Sequence, residues 1–116
     1  MRNRAFAPYS NYRVGAAVET ENGEIIGGCN VESSSYGLTC CAERVALFRA
    51  ISEGHRKFKS LAVSTKNGGM PCGACRQVIW DICKKIEIHI CNKKGWLKTI
   101  SSSELLPDAF DENFLK

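Results

Sequence analysis

Two short cysteine motifs, far apart in the sequence, constrain the fold of this chain more than any other feature. The first is Cys41-Ala42-Glu43, and the second is Pro71-Cys72-Gly73-Ala74-Cys75. A catalytic zinc site uses three protein ligands and keeps a fourth position for water. If these thiols bind one metal ion, the fold must bring two separate segments to one point and leave a carboxylate beside it.

The cysteine count favours metal binding or burial over disulfides. The chain has seven cysteines in 116 residues, and an odd number leaves one thiol over in a disulfide framework. The basic N-terminus is not followed by the apolar stretch of a secretory signal, and no apolar run approaches the roughly 18 residues of a membrane helix. We therefore expect a cytoplasmic protein that does not insert into membranes. Three cysteines on apolar faces are expected to act as small hydrophobes: Cys29, Cys83 and Cys91.

The charge pattern argues against nucleic-acid binding. The net charge is only +4, and the basic clusters are short. Aromatic residues are not interleaved with them, as a platform for stacking bases would require. Neither His55 nor His89 lies near a cysteine motif, so both are expected to be structural. We expect no nucleic-acid partner.

The hydrophobic pattern predicts one α/β domain over residues 1–116. Strands are predicted at 12–19 and 24–29, joined by a two-residue turn at Asn22-Gly23. A helix follows Thr39 and ends at Gly54, a strand covers 59–65, and a second helix runs from Pro71 to residue 84. Strands at 87–91 and 96–100 and a helical turn at 103–106 complete the order. This order predicts a mixed sheet of about five strands with helices packed on it. The first helix is expected to bury a stripe of residues at three- and four-residue spacing: Ala42, Val45, Ala46, Phe48, Arg49 and Ile51.

The spacing of Glu43 suits a catalytic acid–base group. Two positions along a helix correspond to a rotation of about 200°, so the side chains of Cys41 and Glu43 diverge. Glu43 is therefore expected to face a zinc-activated water and move protons, rather than to bind the metal. Three thiolates would weaken the metal as a Lewis acid. The N-termini of two helices are placed to offset the negative charge of the thiolates. The side chains of Arg44 and Arg76 are placed to do the same.

Cysteine spacing alone leaves other interpretations open. A single C-x-x-C also occurs in redox pairs and in structural zinc sites. A structural site would need a second such pair, and the adjacent Cys40 and Cys41 do not suit one metal. Cys40 remains the rival of Cys41 as a ligand, although the spacing to Glu43 favours Cys41.

Several further motifs resemble one known family, the small homotetrameric cytidine deaminases. The match runs from about residue 6 to residue 110 and rests on segments in register: Ala7-Pro8-Tyr9-Ser10, Val14-Gly15-Ala16-Ala17, Asn30-Val31-Glu32, Tyr36-Gly37-Leu38-Thr39, Cys41-Ala42-Glu43-Arg44, Ser52-Glu53-Gly54 and Pro71-Cys72-Gly73-Ala74-Cys75-Arg76-Gln77-Val78. The resemblance implies a three-layer α/β/α sandwich. It also implies zinc-dependent conversion of cytidine and 2′-deoxycytidine to the uridine forms and ammonia, a reaction of pyrimidine salvage.

The resemblance also implies roles for individual residues. Cys41, Cys72 and Cys75 would bind one Zn²⁺ per subunit, with Glu43 as the proton shuttle and Arg44 beside the ligands. Asn30 and Glu32 would hold the sugar, and Phe110 would stack on the base in a neighbouring subunit of the tetramer. The implied substrate contacts are Tyr12, Asn30, Val31, Glu32, Ser33, Ser34, Ser35, Tyr36, Ala42 and Phe110. At the position of Tyr12 the family often has Phe, and it usually has a further helix before Ala7.

Two rival functions remain at this point. One is a deaminase of another cytosine-containing compound, such as a nucleoside antibiotic; the editing deaminases usually carry His-x-Glu in place of Cys41-Ala42-Glu43. The other is a structural zinc module that binds a partner and catalyses nothing.

Overall fold

Five strands and three helices account for most of the regular structure. The computed structural model describes residues 1–115, without the side chain of Tyr36. The strands are β1 (Gly15–Thr20), β2 (Ile25–Cys29), β3 (Phe58–Ser64), β4 (Glu87–Asn92) and β5 (Gly95–Ser101). The helices are α1 (Ala42–Ser52), α2 (Gly73–Cys83) and α3 (Ser102–Leu105). Single 3₁₀ turns occupy Arg2–Arg4, Tyr36–Leu38 and Glu112–Leu115.

The strands form one mixed sheet in the order β2-β1-β3-β4-β5. Strand β1 is antiparallel to both β2 and β3, β4 is parallel to β3, and β5 is antiparallel to β4. Parallel neighbours require a crossover connection, which α2 supplies between β3 and β4. The predicted α/β fold with a mixed five-stranded sheet is confirmed.

The core lies between one face of the sheet and the helices. Alternate strand residues point to this face, and the alanines and Leu47 of α1 pack on them together with Ile79 of α2. The buried sheet residues are Ala16, Val18, Ile26, Leu61, Val63, Ile88 and Ile90. The N-terminal Met1 and Arg2 pack on the opposite face, against Gly15 and Gly27.

The predicted buried stripe of α1 is partly wrong. Phe48 is 47% exposed, whereas Leu47 and Ala50 are fully buried. The reason is the close approach of α1 to β2, where a Cβ added at Gly28 would lie 2.4 Å from the backbone nitrogen of Ala46. At that distance, the helix turns its alanines toward the strand and leaves the large ring of Phe48 outside.

The first hairpin also differs in detail from the prediction. Its loop has three residues, 21–23, closed by hydrogen bonds from Gly23 N to Thr20 O and from Thr20 N to Glu24 O, both 2.9 Å. Gly23 has a φ of 86°, which suits the left-handed position of such a loop. The predicted two-residue turn at Asn22-Gly23 is therefore one residue too short. Within residues 1–115, no helix combines the length and the hydropathy that a membrane crossing needs.

The topology brings the starts of α1 and α2 to the same edge of the sheet. Strands β2 and β3 run in the same direction because both are antiparallel to β1. Helix α1 follows β2 after a loop, and α2 follows β3 in the same way. In α/β sheets, this edge is where ligands bind. Both predicted cysteine motifs therefore lie at one end of the molecule.

Candidate active site

Three cysteine sulfurs meet where the two helices begin. Cys41 is the N-cap of α1, Cys72 is the N-cap of α2, and Cys75 lies in the first turn of α2. Their sulfur atoms all lie within 4.8 Å of one another, and those of Cys41 and Cys72 are 3.8 Å apart. The fold therefore brings together the three thiols that the sequence assigned to one metal. Cys40 instead exchanges backbone hydrogen bonds with Val31.

The spacing of the sulfurs suits a tetrahedral zinc ion. With a Zn–S bond of about 2.3 Å, two sulfurs on a tetrahedral zinc lie about 3.8 Å apart. The Cys41–Cys72 distance equals this value, and the third sulfur needs only a small movement. A soft, all-thiolate donor set is also one that zinc accepts readily. The donor atoms present therefore fit zinc.

The guanidinium of Arg44 contacts the sulfur of Cys41. Nη2 of Arg44 donates to Sγ of Cys41 and to the carbonyl oxygen of Thr39, both at 3.3 Å. Hydrogen bonds from the thiol of Cys75 and from Arg44 lower the pKa of Cys41 to about 5. The pKa of Cys75 is raised, because its thiol donates to Cys41 and is buried. Negative charge is thus favoured at Cys41, beside a guanidinium and the N-terminus of α1.

Arg76 takes a different role from the one expected. Its Nε donates to the carbonyl oxygen of Pro71 at 2.8 Å, and Nη1 donates to that of Leu105 at 3.1 Å. These bonds hold the start of α2 to the end of α3, and Arg76 does not contact a thiolate. Sequence adjacency to Cys75 was misleading because one helical step turns the side chain away from the sulfur by about 100°.

Glu43 places a buried carboxyl beside the sulfur cluster. It lies in the first turn of α1 and is only 4% exposed. Burial raises the pKa of its carboxyl above the ordinary value, and the neighbouring charge at Cys41 acts in the same direction. A carboxyl group whose pKa is raised toward neutrality can both accept and return a proton. The site therefore contains a candidate for acid–base catalysis.

A cavity of about 300 Å³ opens onto these groups. Seven of the residues selected from the sequence line it: Tyr12, Asn30, Glu32, Cys41, Ala42, Glu43 and Cys72. The third cysteine of the cluster, Cys75, is buried. The sequence analysis assigned no site role to seven further lining residues: Ser10, Val14, Thr39, Val63, Thr65, Gly69 and Met70. The size and the mostly apolar walls of the cavity suit a small organic molecule.

Asn30 connects two walls of this cavity. Its Nδ2 donates to the carbonyl oxygen of Tyr12 at 2.9 Å, and its Oδ1 accepts from the backbone nitrogen of Val14 at 3.0 Å. The backbone nitrogen of Asn30 still donates to the carbonyl oxygen of Val14 at 3.2 Å, and beyond this bond the side chain of Asn30 holds the chain, so β1 begins at Gly15 and not at Tyr12 as predicted. Each amide atom keeps one further hydrogen-bonding position, which a ligand could use.

The carboxylate of Glu32 accepts hydrogen bonds from the segment at residues 9–10, which precedes Tyr12. Its Oε1 accepts from the backbone nitrogens of Tyr9 and Ser10, at 3.0 and 3.1 Å, and Oε2 accepts from the hydroxyl of Ser10. The hydrogen bond from Ser10 lowers the pKa of the carboxyl, so Glu32 remains ionised. Ser10 is a site residue that the sequence analysis missed. The only available signal was its place in the Ala7-Pro8-Tyr9-Ser10 motif.

Apart from Tyr36, the remaining predicted substrate contacts lie outside the cavity lining. Val31 is 43% exposed, and Ser33, Ser34 and Ser35 belong to the loop between β2 and α1. The side chain of Tyr36 lies outside the described part of the chain. Phe110 is 56% exposed and stacks on Phe114, with ring centroids 5.5 Å apart. Its carbonyl oxygen accepts from Gln77 on α2. In this chain, Phe110 therefore lies away from the cavity.

Comparison with known proteins gives consistent results. The family described as "Cytidine and deoxycytidylate deaminase zinc-binding region" matches residues 1–90. A cytidine deaminase of Sporosarcina psychrophila is 46% identical over 98% of this chain and 86% of its own length. A probable cytidine deaminase of Dictyostelium discoideum is 53% identical over 96% of this chain and 77% of its own.

A solved structure gives the same relationship in three dimensions. The crystal structure of a cytidine deaminase from Burkholderia pseudomallei superposes with a TM-score of 0.90 and 48% identity. The superposition covers 94% of this chain and 90% of the other. Because the similarity in sequence and in fold extends over nearly the whole chain, this protein is an enzyme of the cytidine deaminase family.

Proposed function

We propose that this chain catalyses the zinc-dependent hydrolysis of cytidine and 2′-deoxycytidine to uridine and 2′-deoxyuridine, with release of ammonia. In this proposal each subunit is one deaminase domain that binds one zinc ion, and four subunits form a tetramer with shared active sites. The enzyme would serve pyrimidine salvage in the cytoplasm, where reduced thiols persist.

The observation that carries this proposal is the juxtaposition of three sulfurs and one buried carboxyl at the end of a single cavity. Cys41, Cys72 and Cys75 lie within 4.8 Å of one another, and Glu43 lines the cavity beside them. A purely structural zinc site would be closed by a fourth protein ligand. Among the described residues, the cluster of metal-binding side chains contains these three cysteines alone. The fourth position of a bound zinc ion would therefore be open to water.

The residues of this site can be assigned to the steps of hydrolysis. Bound zinc would supply Lewis-acid chemistry, lowering the pKa of a water molecule toward neutrality. The Glu43 carboxylate takes a proton from the attacking water and delivers it to N3 of the cytosine ring. The water oxygen bonds to C4. When the C4–N4 bond breaks, Glu43 transfers the second water proton to the departing amine, which leaves as ammonia.

The other lining residues suit recognition of a nucleoside. Asn30 and Glu32 each retain unused hydrogen-bonding capacity after holding residues 9–14, and sugar hydroxyls can use it. The Tyr12 ring and the methyl group of Ala42 offer apolar surface for the base. The loop with Val31, Ser33, Ser34, Ser35 and Tyr36 would complete the sugar side of the pocket. These contacts account for a free nucleoside as substrate.

The primary test measures deamination with the zinc-loaded protein. We expect cytidine and 2′-deoxycytidine to lose absorbance as the uridine forms appear, and a cytosine-containing oligonucleotide to remain unchanged. A cytosine nucleoside antibiotic serves as the comparison for the alternative substrate. Turnover of the antibiotic alone would favour that rival, and inertness toward every cytosine nucleoside would favour a binding module.

Phe110 provides a test of the shared active site. If its ring enters a neighbouring subunit, Phe110→Ala should raise KM for cytidine by about five- to 150-fold, because loss of a base-stacking aromatic costs about 1–3 kcal/mol. Phe114→Ala is the matched control, since Phe114 is the 69% exposed stacking partner of Phe110. Equal KM values for wild type and Phe110→Ala would show that each chain completes its own pocket.

A further inference from the structure

One hydrogen bond joins two segments that line the cavity and are distant in sequence. The hydroxyl of Tyr12 donates to Oδ1 of Asn67 at 2.7 Å. Tyr12 belongs to the segment that Asn30 and Glu32 hold, and Asn67 lies in the loop between β3 and α2. This loop leads directly into Pro71 and the zinc-ligand position Cys72. The bond therefore joins the substrate side of the site to the metal side.

The loop around Asn67 is shaped to receive this hydroxyl. Oδ1 of Asn67 also lies 3.4 Å from Oγ1 of the buried Thr65, which accepts from the backbone nitrogen of Gly69 at 2.8 Å. A Cβ added at Gly69 would lie 2.6 Å from the Tyr12 hydroxyl oxygen. Gly69 thus leaves the space in which the hydroxyl sits, and the carboxamide of Asn67 has two lone pairs to accept both hydroxyls.

We propose that the Tyr12 hydroxyl and the Asn67 side chain form a latch that holds the two walls of the substrate cavity at a fixed separation. Both are positioning residues in this role: the hydroxyl acts through Asn67 on the loop at residues 65–70. This inference rests on the proposed nucleoside deamination for its kinetic consequence. The latch itself is independent of that activity.

The latch should act mainly on substrate binding. Without it, the loop at 65–70 and the ring of Tyr12 each gain freedom, and binding must order them again. Loss of a hydrogen bond of this kind changes a binding equilibrium constant by a factor of about three to ten. Tyr12→Phe keeps the ring and removes only the hydroxyl. We therefore expect Tyr12→Phe to raise KM for cytidine about three- to tenfold and to change kcat by a smaller factor.

A double-mutant cycle separates the latch from independent effects. Asn67→Ala should raise KM at least as much as Tyr12→Phe does, and the double variant should show no increase beyond that of Asn67→Ala, because the bond that Tyr12→Phe removes is already lost. Asn67→Asp keeps the acceptor oxygen and should retain a KM close to that of the wild type. A double variant whose KM increase equals the product of the two single increases would overturn the proposal.

Tryptic cleavage after Lys66 gives a second readout that needs no turnover. Lys66 is exposed in the same loop, and Tyr12→Phe does not alter the sequence around the cleavage site. Freed from the latch, the loop should be cleaved about three- to tenfold faster in zinc-loaded Tyr12→Phe than in wild type. Unchanged cleavage in Tyr12→Phe would overturn the latch. If Tyr12→Phe is cleaved faster than wild type but the wild-type protein deaminates no cytosine nucleoside, the latch is supported and the proposed function is rejected.

Discussion

Replacing Glu43 with Gln should lower kcat for cytidine by about 10²–10⁴, the usual contribution of a general acid–base group. The side chain keeps its size and its place in the first turn of α1, so the three sulfurs should keep their positions. A carboxamide cannot take a proton from water or deliver one to the ring nitrogen and the amine. The measurement is the rate of absorbance loss at saturating cytidine, together with zinc content by elemental analysis.

Glu53→Gln is the matched control for this substitution. Glu53 caps the other end of α1, where it is exposed and pairs with Arg49 at 2.8 Å. This variant should keep the wild-type kcat, because exposed ion pairs contribute little and Glu53 is remote from the cavity. Zinc-loaded Glu43→Gln with more than about a tenth of the wild-type kcat would contradict the acid–base role of Glu43.

Local signals in the sequence located most of the elements. Gly54 has a φ of 99° and ends α1 as predicted, since few other residues adopt that conformation. Gly28 of the first hairpin admits the backbone of α1, because a Cβ at this position would lie 2.4 Å from the nitrogen of Ala46. Each of these features depends on the size or the backbone conformation of a single residue, and both can be predicted from the residue type alone.

Contacts between residues that are distant in sequence determine the features that could not be predicted. Phe48 and Leu47 are neighbours of similar hydrophobicity, and only the contact of α1 with β2 decides which is buried. The irregular path of residues 9–14 likewise depends on side chains of Asn30 and Glu32, more than a dozen positions away. The spacing of the motifs suggested that these three thiols bind one metal ion. The distance between the thiols, however, depends on the strand order of the sheet, which the spacing does not give.

Substituting Cys75 by Ala should remove both the zinc and the activity. Cys75 is completely buried behind the cavity, so no water or neighbouring side chain can take its place without moving α2. The two remaining thiols, Cys41 and Cys72, would leave the ion with fewer than the three protein ligands of a catalytic site. We expect zinc content to fall from about one ion per chain to less than a tenth of that after dialysis, with deamination at background.

Cys83→Ala tests whether this loss is specific to the cluster. Cys83 lies on the same helix, and burial raises the pKa of its thiol to about 12, so it stays neutral and packs as a small apolar side chain. This variant should retain zinc and activity. A chelator should lower the Tm of wild type and Cys83→Ala, because metal binding stabilises only the folded chain, and should leave the Tm of Cys75→Ala unchanged. If Cys75→Ala kept a full zinc content, another thiol would have to be the third ligand, and the arrangement proposed for the active site would be wrong.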